Sequence, residues 1–154
     1  MPTLKQHILE SLSDDAKAYV QDFEALSHEQ LAVSPGGSAR TGYDITYEVV
    51  LVNERISQRL ASIDPGKWPY EGWVVAPPEV QNKEELMKRF KSSIDAITKS
   101  IEALDDELSG GYVADGKEQS FSGIAGMAVW HMGYHGGQLN YIQSLHGDME
   151  IHWD

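Results

Sequence analysis

AVWHMGYHGGQLNYIQ, running from Ala128 to Gln143, sets His131 and His135 four residues apart. On a helix that spacing stacks both imidazoles on one face. The neighbours share the face: Ile124, Ala128, His131, His135, Gln138, Ile142 and Leu145 step alternately by four and three. This is the inward stripe of a bundle helix, and its middle three positions are polar. A buried polar group costs free energy unless it has a partner. Two imidazoles and an amide in a row therefore ask what they face, and a metal ion is the economical answer.

Working outward, the rest of the chain supplies the helices such a stripe would pack against. Thr3 with Gln6 makes a capping box for a first helix over 4–31, whose face carries Leu4, Ile8, Leu12, Tyr19, Phe23 and Leu26. SPGGSA, with Pro35, Gly36 and Gly37, stops it. Thr41 with Asp44 opens a second helix over 42–63 with Ile45, Val49, Val52, Ile56 and Leu60 inward. VVLV within it has the β-branched character of a strand, but NERISQRLA carries the helical period onward. A long loop follows from Asp64 to Gln81, and its Trp68, Tyr70 and Trp73 are either a lid or a plug for one end of the core. Asn82 with Glu85 caps a third helix, where Leu86, Phe90, Ile94, Ile97, Ile101, Leu104 and Leu108 repeat up to a stop at Gly110 and Gly111. The polar connector YVADGKEQ then leads to the final helix over 120–146. The pattern predicts an all-α fold in one domain, 1–154. It is a four-helix bundle with a long connection between its second and third helices.

Composition narrows the function. Twelve basic against 24 acidic residues give a formal net charge of −12, which repels phosphate backbones and argues against nucleic-acid binding. No apolar run reaches membrane-spanning length and no basic amphipathic segment suggests a membrane surface. The N-terminus lacks the apolar core of a secretory signal, so a cytoplasmic protein acting on a small molecule is expected. The chain has no cysteine, which excludes disulfides, thiolate metal sites and a cysteine nucleophile.

Imidazoles spaced i, i+4 can reach one divalent ion, as in H-E-x-x-H metalloproteases. Met132 stands where that motif has its glutamate, so this is a different kind of site. The competing reading is a pair of core or interface histidines satisfied by backbone or carboxylate. A catalytic ion needs a third protein ligand. The other histidines fall near helix ends or at the C-terminus, which leaves the second helix: Glu48 borders its buried stripe, and Asp44 is the second choice. Gly133, Gly136 and Gly137 imply close approach of another helix or room for a ligand, since each costs on the order of 1 kcal/mol relative to alanine. Gln138 shares the histidine stripe and is the residue best placed to support or contact whatever binds there, ahead of Asn140.

WHMGYHGGQLNYIQ resembles the C-terminal helix signature of the DinB-like superfamily, H-x-x-x-H-x-G-Q followed by an aromatic. His131, His135, Gly137, Gln138 and Tyr141 match it. TGYDITYEVVLVNERI is similar to that family's second helix, and the order and lengths of the helices agree over nearly the whole chain. The resemblance implies a four-helix bundle with one divalent metal (zinc, nickel, manganese or iron) held by His131, His135 and one second-helix residue. The family's usual histidine there is replaced by Glu48. It also implies a homodimer and a metal-dependent transferase using a low-molecular-weight thiol such as bacillithiol, mycothiol or glutathione. The alternative is a non-catalytic small-ligand-binding or stress-associated bundle with structural histidines.

Overall fold

Helices form where a capping residue meets an apolar period. The computed structural model describes residues 1–153 and contains α1 (Leu4–Ala25), α2 (His28–Ala32), α3 (Gly42–Leu60), α4 (Lys83–Glu102) and α5 (Phe121–Leu145). The side chains of Thr3, Ser27 and Thr41 each close a reciprocal capping box, and Asn82 and Ser120 accept the third amide of α4 and α5. The four long helices bury one common core: Tyr19 and Phe23 from α1, Val49 and Ile56 from α3, Phe90 and Ile97 from α4, Ala128 and Leu139 from α5. α3 lies against both α4 and α5, and α1 against α5 and α4. No helix among the described residues is long and apolar enough to cross a membrane.

The chain departs from the expected pattern in five places. The first helix is broken: Leu26 adopts extended backbone, and Ser27 with Gln30 starts α2 afresh, because a second capping box competes with continuation. α4 ends at Glu102 rather than near Gly110. Asp105 Oδ1 accepts the amides of Glu107 and Ser109, each at 3.0 Å, and the resulting turn carries Leu108 into the core. The connector YVADGKEQ is not irregular. It forms an antiparallel hairpin, β1 (Gly111–Ala114) with β2 (Lys117–Ser120), so the fold is helical with a small sheet rather than all-α. Asp115 and Gly116 turn it with φ of 51° and 71°, the positive values a two-residue hairpin turn needs. Leu145 is exposed, leaving the inward stripe of α5 to end at Ile142.

The fifth departure is in the long connection. Its large aromatics do not plug the core, since Trp68 and Trp73 are exposed while Val74, Ala76 and Val80 are buried. Arg55 clamps one end, donating to the carbonyls of Pro65 and Gly66 and lying 5.5 Å from the Trp68 ring. Asp44 anchors the other: Oδ2 accepts from Thr41 N at 3.4 Å within the cap, and Oδ1 accepts from Ala76 N at 2.7 Å.

Asp44 therefore holds a helix end and a loop with one carboxylate. Asp44→Ala should cost about 1–2 kcal/mol of stability by urea denaturation. It should also raise the hydrogen-exchange rate of the Ala76 amide while the amides of α4 are unchanged.

Candidate metal centre

The middle of α5 presents His131 and His135 inward, 7% and 1% exposed. Their Nε2 atoms face each other at 3.2 Å. From α3, Glu48 Oε1 approaches the same point, 3.6 Å from His131 Nε2 and 3.3 Å from His135 Nε2. Three ligand atoms thus form a triangle with sides of 3.2, 3.3 and 3.6 Å. Ligands about 2.1 Å from a tetrahedral ion lie roughly 3.4 Å from one another. The donor set and its spacing fit a divalent cation. Two imidazole lone pairs and a carboxylate oxygen turned toward one point repel unless a proton or a cation lies among them. Glu48, His131 and His135 form a group that could hold a metal ion.

The surroundings support two of the three ligands. His135 Nδ1 donates to Gln138 Oε1 at 2.6 Å, which leaves Nε2 to face the triangle, where it donates to Glu48 or, once deprotonated, offers its lone pair to a cation. Glu48 Oε2 accepts an ion-pair hydrogen bond from Arg40 Nη1. Burial pushes the Glu48 carboxyl up, but hydrogen bonds with His131, His135 and Arg40 outweigh it and hold the group well below the usual carboxylate range. Glu48 is therefore ionised at neutral pH. His131 Nδ1 is buried and has no hydrogen-bond partner among the described residues, so its tautomer is set by what meets Nε2. Behind the triangle, the Tyr19 hydroxyl and Thr46 Oγ1 share a buried hydrogen bond of 2.9 Å, and burial pushes the Tyr19 phenol up, keeping it neutral.

The structure brings together Glu48, His131, His135 and Gln138, and it assigns Asp44 to the loop anchor instead. The glycines do not mark a tight helix contact. A Cβ on Gly133 or Gly136 would meet its nearest neighbour at 3.6 or 3.5 Å, ordinary packing distances, and one on Gly137 would meet nothing within 4 Å. Gly137 instead lines a cavity of about 410 Å³ beside the site, with Arg40, Trp73, Tyr134, Gln138 and Tyr141. Arg40 is the residue that sequence reasoning missed. It sits in the turn before the Thr41 cap, outside any periodic pattern, and its only signal was a lone cation just ahead of the helix that carries Glu48. A second cluster, Asp148, Glu150 and His152, lies in the C-terminal tail. There the Asp148–His152 pair at 2.8 Å satisfies itself near the surface.

No protein-family model matches the chain, and no curated protein does. Among solved structures, a conserved protein from Enterococcus faecalis superposes with a TM-score of 0.73 at 14% identity, covering 94% of this chain and 98% of that one. The two share a helical fold.

Removing Glu48 alone strands the Arg40 guanidinium. Glu48→Ala should destabilise the chelator-treated protein by about 2–4 kcal/mol, somewhat less than a fully buried pair would, because Glu48 keeps some solvent contact. Glu48→Ala with Arg40→Met should recover about 1 kcal/mol or more of that loss, read by urea denaturation as a double-mutant cycle.

Proposed function

We propose that this chain is a DinB-like metalloprotein on a four-helix bundle, in which Glu48, His131 and His135 hold one divalent ion. The observation that carries the reading is the convergence of three ligand atoms within 3.6 Å of one another on two facing helices. Two imidazoles and one carboxylate are an established zinc set, and nickel, manganese and iron(II) accept the same donors. When bound, such an ion supplies Lewis acidity to a thiol or water in an open position. Glu48 makes the site one unit less positive than three imidazoles would.

The chain's own groups prepare that chemistry. Gln138 orients His135, Arg40 holds the Glu48 carboxylate in one rotamer, and the adjoining cavity admits a small molecule beside the triangle. With no cysteine anywhere, a thiol nucleophile would have to arrive as a small molecule. Transfer of a low-molecular-weight thiol, the activity implied by the resemblance, fits that requirement. The reading includes a cytoplasmic homodimer, for which the exposed Met127 and Trp130 of α5 offer apolar surface. One observation favours the metal-free ligand-binding alternative: Arg40 already neutralises Glu48 without an ion.

Elemental analysis of the purified, untagged protein decides between them. Near-stoichiometric metal is expected in the wild type and none in His135→Ala. Gln138→Ala should still bind metal, about 10–100-fold more weakly. A wild type that takes up no zinc, nickel, manganese or iron when supplied would refute the metal reading.

A further inference from the structure

We infer that the cavity beside the Glu48–His131–His135 triangle is a subsite for the carboxylate of a small amphipathic organic acid, with Arg40 as the anion-binding residue. The inference deepens the proposed function by giving that site a substrate class, and it rests on that reading for its link to turnover. The carboxylate contact itself requires only Arg40 and the cavity.

The lining has two characters. Trp73, Tyr134, Tyr141, Ile45 and Ile142 supply aromatic and aliphatic wall, and Arg40 is the one charged side chain among the residues that line the space. About 410 Å³ is the size of a small organic molecule rather than an inorganic ion. An apolar wall with one convergent cation selects a ligand with an aryl or alkyl body and one anionic end.

Arg40 is built for that end. A guanidinium carries five N–H donors in a plane. One nitrogen, Nη1, is committed to Glu48 Oε2. The guanidinium carbon, Cζ, lies over the Trp73 ring, 4.4 Å from its centroid. Nε and Nη2, which share the other edge, donate to no described residue, and that edge matches the two oxygens of a carboxylate. The side chain is only 10% exposed and is held from both sides, so little rotamer freedom remains to be lost on binding. Elsewhere the chain is strongly acidic, with a net charge of −12, so an anion finds attraction only where a cation is fixed locally. Glu48 offsets part of the Arg40 charge, and a divalent ion at the triangle would offset Glu48. Acid binding should therefore tighten when zinc is present.

The test uses 3-phenylpropionate and its neutral isostere 3-phenylpropionamide as probes. Both are titrated calorimetrically into zinc-supplied and chelator-treated full-length protein, with zinc content measured on the same samples. The acid should bind the zinc-supplied wild type about tenfold or more tighter than the amide, a difference of about 1.4 kcal/mol. Arg40→Met should abolish the preference. Arg40→Lys keeps a charge for Glu48 but lacks the planar edge, so it should lose most of the preference. It also serves if Arg40→Met does not fold. Trp73→Ala should weaken both probes, the acid more than the amide, because it removes apolar wall and also the support of Arg40. Equal binding of the two probes, or no heat from the acid at millimolar concentration, overturns the inference. So does an acid preference that survives both Arg40 variants, which would mean carboxylate bound to zinc alone. If the wild type takes up no zinc yet shows an Arg40-dependent acid preference, the metal reading falls and the carboxylate subsite stands. If it takes up zinc and shows no preference, the reverse holds.

Discussion

The Glu48 carboxylate divides its two oxygens between different kinds of neighbour, and the geometry of the molecule's centre follows from that division. Oε1 meets two imidazole nitrogens from α5, while Oε2 meets a guanidinium from the turn before α3. Satisfying both fixes α3 and α5 in rotation and in height relative to each other. α5 needs such a device. It has large apolar side chains on its exposed side, Trp130, Tyr134 and Tyr141, as well as on its buried one. A helix that is apolar nearly all round is poorly oriented by the hydrophobic effect alone. Turning it by one residue, about 100°, would still present apolar side chains to the core but would carry both imidazoles away from Glu48.

Tyr19 ties the core to this point. Tyr19 stacks on Phe90, with ring centroids 5.0 Å apart and planes 13° from parallel, and its hydroxyl bonds Thr46, two positions before Glu48. A single side chain from α1 therefore touches α4 at one end and the α3 segment bearing the carboxylate at the other. Dense interiors pass small displacements along with little loss. The position of Glu48 is accordingly a property of the whole helical assembly rather than of α3 alone.

Much of this was legible in the chain, for reasons that differ by residue. Thr3, Thr41, Asn82 and Ser120 announce helix starts because capping is local, a hydroxyl or amide facing an amide three residues on. The histidine pair was legible because spacing on a helix maps directly to a face, and Glu48 because it borders the apolar stripe of the neighbouring helix. The remainder depends on contacts that sequence spacing does not encode. Arg40 reaches Glu48 from non-helical backbone, and Trp73 reaches Arg40 from a loop more than thirty residues away. Ser27 breaks the first helix because two capping signals compete, a contest that apolar periodicity over 4–31 conceals. The hairpin at Asp115 carried a recognisable turn signal, but its strands are only four residues each, GYVA and KEQS, and neither is long enough to show the alternation that would have marked it.

The connection between α3 and α4 is fastened at two places with unequal consequences for how the chain can vary. Between the Arg55 clamp on Pro65 and Gly66 and the exposed aromatic at Trp73, the backbone runs over the surface with no side chain of the site attached to it. Extra residues there would add only a slowly growing closure entropy, so length can drift over evolutionary time without touching the centre. Between Trp73 and Ala76 there is no such slack. Val74 and Ala76 are buried, and the Ala76 amide is tied to Asp44. One residue gained or lost in that short span would slide the indole off the guanidinium. Homologous chains that keep this arginine should therefore keep the spacing from the aromatic to the anchored amide, while the segment before it differs freely in length.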